Sequence, residues 1–463
     1  MPRPVSRRDR RHARPYMEGL EDRKLLYATL GASWTFGSRI TYSFAPDGTN
    51  IGGNSSTLFQ TMSNRGFTTS QWQSAIQKAA ASWESAANLN LVLVSDDGSS
   101  FGAAGNQQGD SRFGDIRIGG ASLASNVLAS CFLPPAFNGG TLAGDIVINT
   151  AQAWQINSDY DLQTVAMHEF GHALGLDHST VSYADMYSSY NAIKQTLTSD
   201  DIAGIQSIYG TRAADAFDAA ASNGSYSTAS NINSYVNSNA QVTLSSLDIT
   251  SASDSDWYVV NAPANTSGTL TVTMQSSNLS SLSPKLTLYN SSLAVLSTVQ
   301  SIGSFGATVT TIAITGVTSG QKFYIKSQAA GGLPTGIGAY GLLVNFGTGT
   351  MDPVAPPNTV VASQADHGGG STNENTGDEP VQIGNLSAWG DSLGVSTTFR
   401  QAIALVDGSL DLAGLALPFG EDLTIRFLVG IWHAAERNNV GTPAARAAVI
   451  HAIDDVLATW GRT

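Results

Sequence analysis

A chain of 463 residues is long enough for two or three domains, each with its own buried core. Only 13% of it is charged and the net charge is −13, which argues against a general affinity for nucleic acid. One cysteine, Cys131, excludes an internal disulfide and a cysteine-built zinc cluster, and no apolar run approaches the length of a membrane span.

In chain order, residues 1–30 form a basic segment, with eight Lys or Arg against four acids in the first 24 positions. They lack the apolar core of a secretory signal peptide. By charge alone this is a disordered arm. Its LEDRKLL stretch resembles a short LExRxLL tag found near the start of many large exported bacterial proteins, so bacterial export is the expectation, to the medium or the cell surface.

Residues 31–211 read as the next unit. ITYSF (40–44) has strand character, and a strong amphipathic helix follows with Trp72, Ile76, Ala79 and Trp83 at helical spacing and Thr69 or Ser70 as its cap. Tryptophans in that pattern belong to a core. LNLVLV (89–94) reads as a buried strand closed by the Asp96-Asp97-Gly98 turn. A further helix is expected from Ser158 or Asp159, with Leu162, Val165, Ala166 and Phe170 turned inward.

That helix runs into HEFGHALGLDH, residues 168–178. Residues at i and i+4 of a helix share one face, so the imidazoles of His168 and His172 can reach one ion. Glu169, one step round, leans toward the rim where an activated water would sit. Gly175 supplies an inexpensive left-handed turn that ends the helix and brings His178 back as a third ligand. Three protein ligands with an open fourth position are the pattern of a catalytic zinc, since a structural site is closed by four.

These residues resemble the metzincin peptidases, and within them the matrixins. Met186, eight residues after His178 in ADMYSSY, stands where that family's methionine turn is expected. LTSDDIAGIQSIYG (197–210) is similar to its closing helix, and GDIRIGG and LASCFLPPAFNGGTLAGDIVIN to its sheet strands. The resemblance covers roughly residues 33–210 and implies an α+β metzincin catalytic domain, a twisted mixed sheet with three helices. It also implies a zinc-dependent endopeptidase in which His168, His172 and His178 hold the metal, Glu169 is the general base, and Met186 packs beneath the ion without binding it. The substrate would be an extended polypeptide laid along an edge strand from Leu128 and Ala129 to Phe132. By the same resemblance Ser188, Ser189 and Tyr190 wall the pocket for the residue after the scissile bond, and Thr164 sets its depth, which would favour Leu, Met or Phe.

The sequence also departs from that family. Only GASLASNV (120–127) stands where a loop rich in His and Asp would hold structural zinc and calcium. Ser130 and Val147 occupy two positions of structural-zinc histidines, Asn149 replaces a usual Asp, and the PRCGxPD cysteine switch is missing. One catalytic zinc ion is therefore expected, and calcium lacks clear ligands.

From residue 212 to 348 the pattern changes to short alternating segments: LTVTM (270–274), LTLY (286–289), TTIAIT (310–315), KFYIK (322–326) and YGLLVNF (340–346). Such spacing predicts an all-β sandwich. DSDWYVV, LTLYN and YGLLVNF resemble the bacterial pre-peptidase C-terminal domain, and Asp254 and Asp256 could bind calcium or merely form a solvated turn. Residues 349–383 are expected to be a flexible linker. Residues 384–463 read as a helical region of unknown role, with a helix from the Thr442 cap and Pro443 to about Trp460. A different class of function, a surface or adhesion protein using the metzincin unit as an inert scaffold, is opposed by the intact His, Glu, Gly and Met set.

Overall fold

The structure, a computed structural model, describes residues 27–362 apart from 136, 304 and 307. The basic segment through LEDRKLL and the Thr442–Trp460 helix lie outside the described residues.

The first part contains β1 (Ala28–Thr29), β2 (Ile40–Phe44), β3 (Asn50–Ile51), β4 (Asn54–Ser55), α1 (Leu58–Asn64), α2 (Thr69–Ala86), β5 (Leu91–Leu93), β6 (Ile116–Ala121), β7 (Ala129–Cys131), β8 (Ile146–Asn149), α3 (Leu162–Ala173), β9 (Leu176–Asp177) and α4 (Ser199–Tyr209). Its main sheet has the order β5-β2-β6-β8-β7, parallel throughout except that β7 runs antiparallel to β8 at the edge. This is the expected mixed sheet. The short helix α1 is an addition to the expected three.

Two helix starts differ from the sequence reading. The cap of α2 is Thr68, whose hydroxyl accepts from Gln71 N–H while the Gln71 side chain accepts from Thr68 N–H at 2.9 Å. This reciprocal box satisfies two donors where Thr69 or Ser70 would satisfy one. The cap of α3 is the buried Asp161, not Ser158 or Asp159. Between the helices and the sheet, Trp72, Ile76, Ala79 and Trp83 of α2 join Leu162, Val165, Ala166 and Phe170 of α3 in one core with Ile40, Tyr42, Ile118 and Ile148. The Trp83 indole N–H donates to the Met167 carbonyl at 2.8 Å, so even the polar corner of this ring is satisfied and α2 is pinned to α3.

The second part contains α5 (Ala216–Ala220), β10 (Ser230–Asn231), β11 (Gln241–Ile249), β12 (Ser255–Asn261), β13 (Thr269–Gln275), β14 (Pro284–Asn290), β15 (Val295–Gln300), β16 (Val309–Thr315), β17 (Lys322–Ala329) and β18 (Gly338–Asn345). They form a five-stranded sheet, β10-β12-β17-β14-β15, and a four-stranded sheet, β11-β18-β13-β16. Alternate residues of both, such as Tyr258, Val260, Leu286 and Ile325 against Val242, Val272, Ile312 and Leu342, share one buried cluster.

The two parts meet through buried polar groups. The Glu84 carboxylate of α2, fully buried, accepts from the N–H of Ser281 at 3.0 Å and from the N–H of Leu91 at 3.0 Å. Arg212 pairs with Asp248 at 2.6 Å and also donates to Leu89 O and Asn90 Oδ1. The start of the expected linker is likewise engaged. Val354 exchanges two hydrogen bonds with the Gln275 side chain, and Val361 exchanges two with the Gln108 backbone. Residues 351–361 are thus tied to both parts, contrary to a free linker over that stretch.

Candidate active site

Asp161 starts α3 by accepting from the Thr164 N–H at 3.0 Å and the Thr164 hydroxyl at 2.8 Å. The helix carries His168, Glu169 and His172 and ends before Gly175, whose φ is +109°. A Cβ at Gly175 would run into the Ala32 carbonyl oxygen, so both the dihedral and the close approach require glycine. The chain then pairs as β9 with β1, which delivers His178 back toward the helix.

The three imidazoles converge. His172 Nε2 lies 3.1 Å from His168 Nε2 and 3.3 Å from His178 Nε2. His168 Nδ1 is 2.8 Å from the Asp185 carbonyl and His172 Nδ1 is 2.9 Å from the Leu176 carbonyl. A carbonyl opposite Nδ1 requires the proton there and leaves Nε2 bare. The unprotonated nitrogens of His168 and His172, 3.1 Å apart, are placed to share one cation. Tetrahedral zinc with bonds of about 2.05 Å sets its ligand nitrogens about 3.3 Å apart, so the donor set and spacing fit zinc. Burial lowers the His168 pKa to about 4, which keeps this ring neutral and available as a ligand.

Beneath the rings, Met186 is buried, and a Cβ at Gly171 would overlap its sulfur. The first glycine of HEFGHALG, Gly171, is therefore there so that the helix can lie on the methionine. Asp201, in the first turn of α4, accepts the N–H of Met186 at 3.1 Å and of Asp185 at 3.0 Å. Glu169 is buried beside the histidines, and burial pushes its pKa up to about 8.

A cavity of about 870 Å³ joins these groups. On one side are Leu128, Ala129 and Cys131, and β7 is hydrogen-bonded only to β8, which leaves its outer edge open. Ser130 and Val147 face each other across that pair, a hydroxyl against an isopropyl group. On the other side are Thr164, Tyr187, Ser188, Ser189 and Tyr190. The Thr164 hydroxyl is already engaged, donating to Asp161 and accepting the Lys194 N–H at 2.9 Å, and the Tyr190 hydroxyl accepts the Asp161 N–H at 3.2 Å.

Residues 55–210 match the family described as Matrixin. This stretch is a matrixin domain. It is similar to karilysin of Tannerella forsythia, 35% identical over 144 residues, covering 31% of this chain and 29% of that protein. It is also similar to matrix metalloproteinase-20 of Homo sapiens, 36% identical over 144 residues, covering 30% and 28%. The hatching enzyme of Paracentrotus lividus is 31% identical over 196 residues, covering 40% and 28%. The chain thus spans less than a third of the length of these curated relatives.

Sequence reasoning missed three residues of the matrixin domain's site: Asp185 and Lys194 in the cavity wall, and Asp201 beneath it. The Thr198-to-Asp201 spacing is a capping-box signal that could have located Asp201. The other two had no local signal. In the second part, the carboxylates of Asp218, Asp254 and Asp256 come within 4.8 Å of one another. Hydrogen bonds already hold this group: the Asn223 amide donates to Asp218 and Asp256, and the Tyr340 hydroxyl donates to Asp256 at 2.6 Å.

Proposed function

We propose that this chain is a secreted zinc-dependent endopeptidase that hydrolyses peptide bonds in extended polypeptides. The observation that carries the reading is the convergence of three imidazole nitrogens, two of them oriented by backbone carbonyls, beside a buried carboxylate in an open cavity.

His168, His172 and His178 would hold the ion. Bound there, zinc supplies Lewis acidity, lowering the pKa of a water and polarising the scissile carbonyl. Glu169 accepts the proton of the attacking water on its carboxylate and passes it to the departing amine nitrogen. Burial raises its proton affinity above that of an exposed carboxylate. The peptide adds as a strand to the open edge at Leu128 and Ala129, which satisfies its main-chain donors and acceptors. Its side chain after the scissile bond enters between Thr164 and the Ser188–Tyr190 wall. Bacterial export agrees with the LEDRKLL tag, and no helix among the described residues is long and apolar enough to cross a membrane.

Residues 212–348 we read as an accessory β-sandwich of the pre-peptidase C-terminal kind, supported by the two sheets that share one core. The test is digestion of casein by the full chain with and without a chelator. Chelator-sensitive cleavage that returns on adding zinc supports the reading; no cleavage by zinc-loaded protein sinks it.

A further inference from the structure

The outer face of the sheet β10-β12-β17-β14-β15 carries groups that the peptidase reading does not use. Along its strands, the residues that alternate with the buried cluster point away from it: Trp257 on β12, Tyr324 and Lys326 on β17, Lys285 and Tyr289 on β14. The register sets Lys326 between Trp257 and Thr287, and Tyr324 between Val259 and Tyr289. Trp257 stacks on Tyr289 with ring centroids 5.0 Å apart. Tyr226, from the turn before β10, stands edge-on to Trp257 at 6.2 Å and is 52% exposed. Three rings in mutual contact thus form a ridge on an otherwise polar face.

Charge is segregated in the same way. Residues 213–362 contain three basic side chains, Lys285, Lys322 and Lys326, and all three lie on this face. The six aspartates of the same stretch lie elsewhere. Asp256 points inward from β12 to the Tyr340 hydroxyl, Asp248 is on β11 of the other sheet, and Asp215, Asp218, Asp254 and Asp352 are outside the strands. None of the three lysines forms an ion pair among the described residues. Lys326 Nζ sits 5.6 Å from the centre of the Trp257 ring, and burial together with the positive charge of Lys285 lowers its pKa. Two ammonium groups near enough to repel, with no carboxylate between them, are a place for an anion.

We propose that this face of the sandwich binds an acidic polysaccharide, a polymer of uronic acid sugars. The C–H face of a sugar ring packs on the aromatic ridge, and its carboxylate pairs with Lys285 or Lys326. Its hydroxyls meet the amides of Gln300 and Gln328, which flank Lys285 on the two neighbouring strands. A nucleic acid fits less well. It brings a phosphate for every nucleotide toward only three lysines, and a chain of net charge −13 repels a polymer of that charge density. No residue of the matrixin domain takes part, so the assignment goes beyond the peptidase reading and does not depend on it.

The experiment is binding of the full chain to immobilised polygalacturonate, with dextran as a neutral glycan and oligo-dT as a nucleic acid, in low and in high salt. The wild-type chain should bind polygalacturonate and be retained by neither of the others. K285Q/K326Q should bind polygalacturonate about tenfold more weakly or worse, because each surface ion pair contributes up to about fivefold. That difference should shrink in high salt, where such pairs are screened. W257A should weaken binding in both salts. K285Q/K326Q should keep the wild-type Tm, which separates loss of the site from loss of the fold. No binding of the wild type to polygalacturonate, equal binding by K285Q/K326Q, or equal retention on dextran overturns the assignment. Tighter retention on oligo-dT gives the face to nucleic acid and overturns it too, and a lower Tm in K285Q/K326Q does so by giving the lysines to the fold. None of these readouts needs proteolysis, so failure of this assignment and failure of the peptidase reading are distinguishable.

Discussion

Asp201 Oδ1 accepts the backbone N–H of Met186 at 3.1 Å, so the first turn of α4 fixes the turn on which the histidines rest. The other oxygen of the same carboxylate accepts the N–H groups of Asp185 at 3.0 Å and Thr198 at 2.9 Å, and the Thr198 hydroxyl at 2.8 Å. Asp185 in turn offers its carbonyl to His168. A helix cap is thus connected, through two hydrogen bonds, to the tautomer of His168, the proposed metal ligand.

Asp201→Ala should therefore injure both stability and metal binding. It leaves two buried N–H groups of the methionine turn without acceptors, a loss of about 3 kcal/mol in all. Outer partners of metal ligands typically contribute about 10–100-fold to affinity, so zinc should be held more weakly by a factor in that range. Denaturant unfolding and a chelator competition check the two effects. Zinc affinity equal to wild type would break the proposed relay.

Glu169→Ala keeps all three histidines but removes the proton acceptor. Zinc content should stay at one ion per chain while casein cleavage falls by about 100-fold or more. Metal analysis and activity on the same preparation decide this. Two tightly held zinc ions in the wild type would contradict the expectation drawn from Ser130 and Val147.

Gly171→Ala adds a single methyl group where the Met186 sulfur sits and the Trp83 ring lies alongside. Overpacking of this kind costs about 1–3 kcal/mol. Because Met186 is tied to Asp201 and cannot simply back away, α3 should shift, with loss of zinc affinity as well as Tm. A variant with unchanged Tm would mean the methionine side chain has room to turn.

The junction between the two parts should be pH-sensitive. Burial pushes the Glu84 pKa from 4.5 up to about 7, outweighing the nearby Arg212 and the N–H groups of Leu91 and Ser281. The folded chain thus binds a proton that the unfolded chain has lost between these values. The stability linked to Glu84 is full below about pH 4.5, falls as pH rises, and is gone above about 7. Asp256, pushed up to about 8 chiefly by burial, acts in the same direction. Wild-type Tm should fall between pH 5.5 and 8.5, and Glu84→Gln, which cannot ionise, should show a shallower fall. Equal slopes would remove Glu84 as a source of the effect.

What the sequence alone determined is the part of the site governed by local geometry. The i, i+4 spacing of His168 and His172 fixes a shared helix face, and Gly175 permits the turn toward His178, because helical periodicity and φ > 0 are properties of a few adjacent residues. The β-strands at 270–274, 286–289 and 310–315 were legible for the same reason, from an alternation of period two. Cap positions were missed by one to three residues because several adjacent Ser, Thr and Asp side chains compete, and packing of the helix against its neighbours selects one. Only the tertiary structure decided what meets across long distances in the chain: Glu84 with Ser281, Val361 with Gln108, Asp201 with Met186, and the unpaired carboxylate of Asp185 in the cavity wall. Whether a buried polar atom is satisfied depends on every element that closes around it, and no window of sequence contains them all.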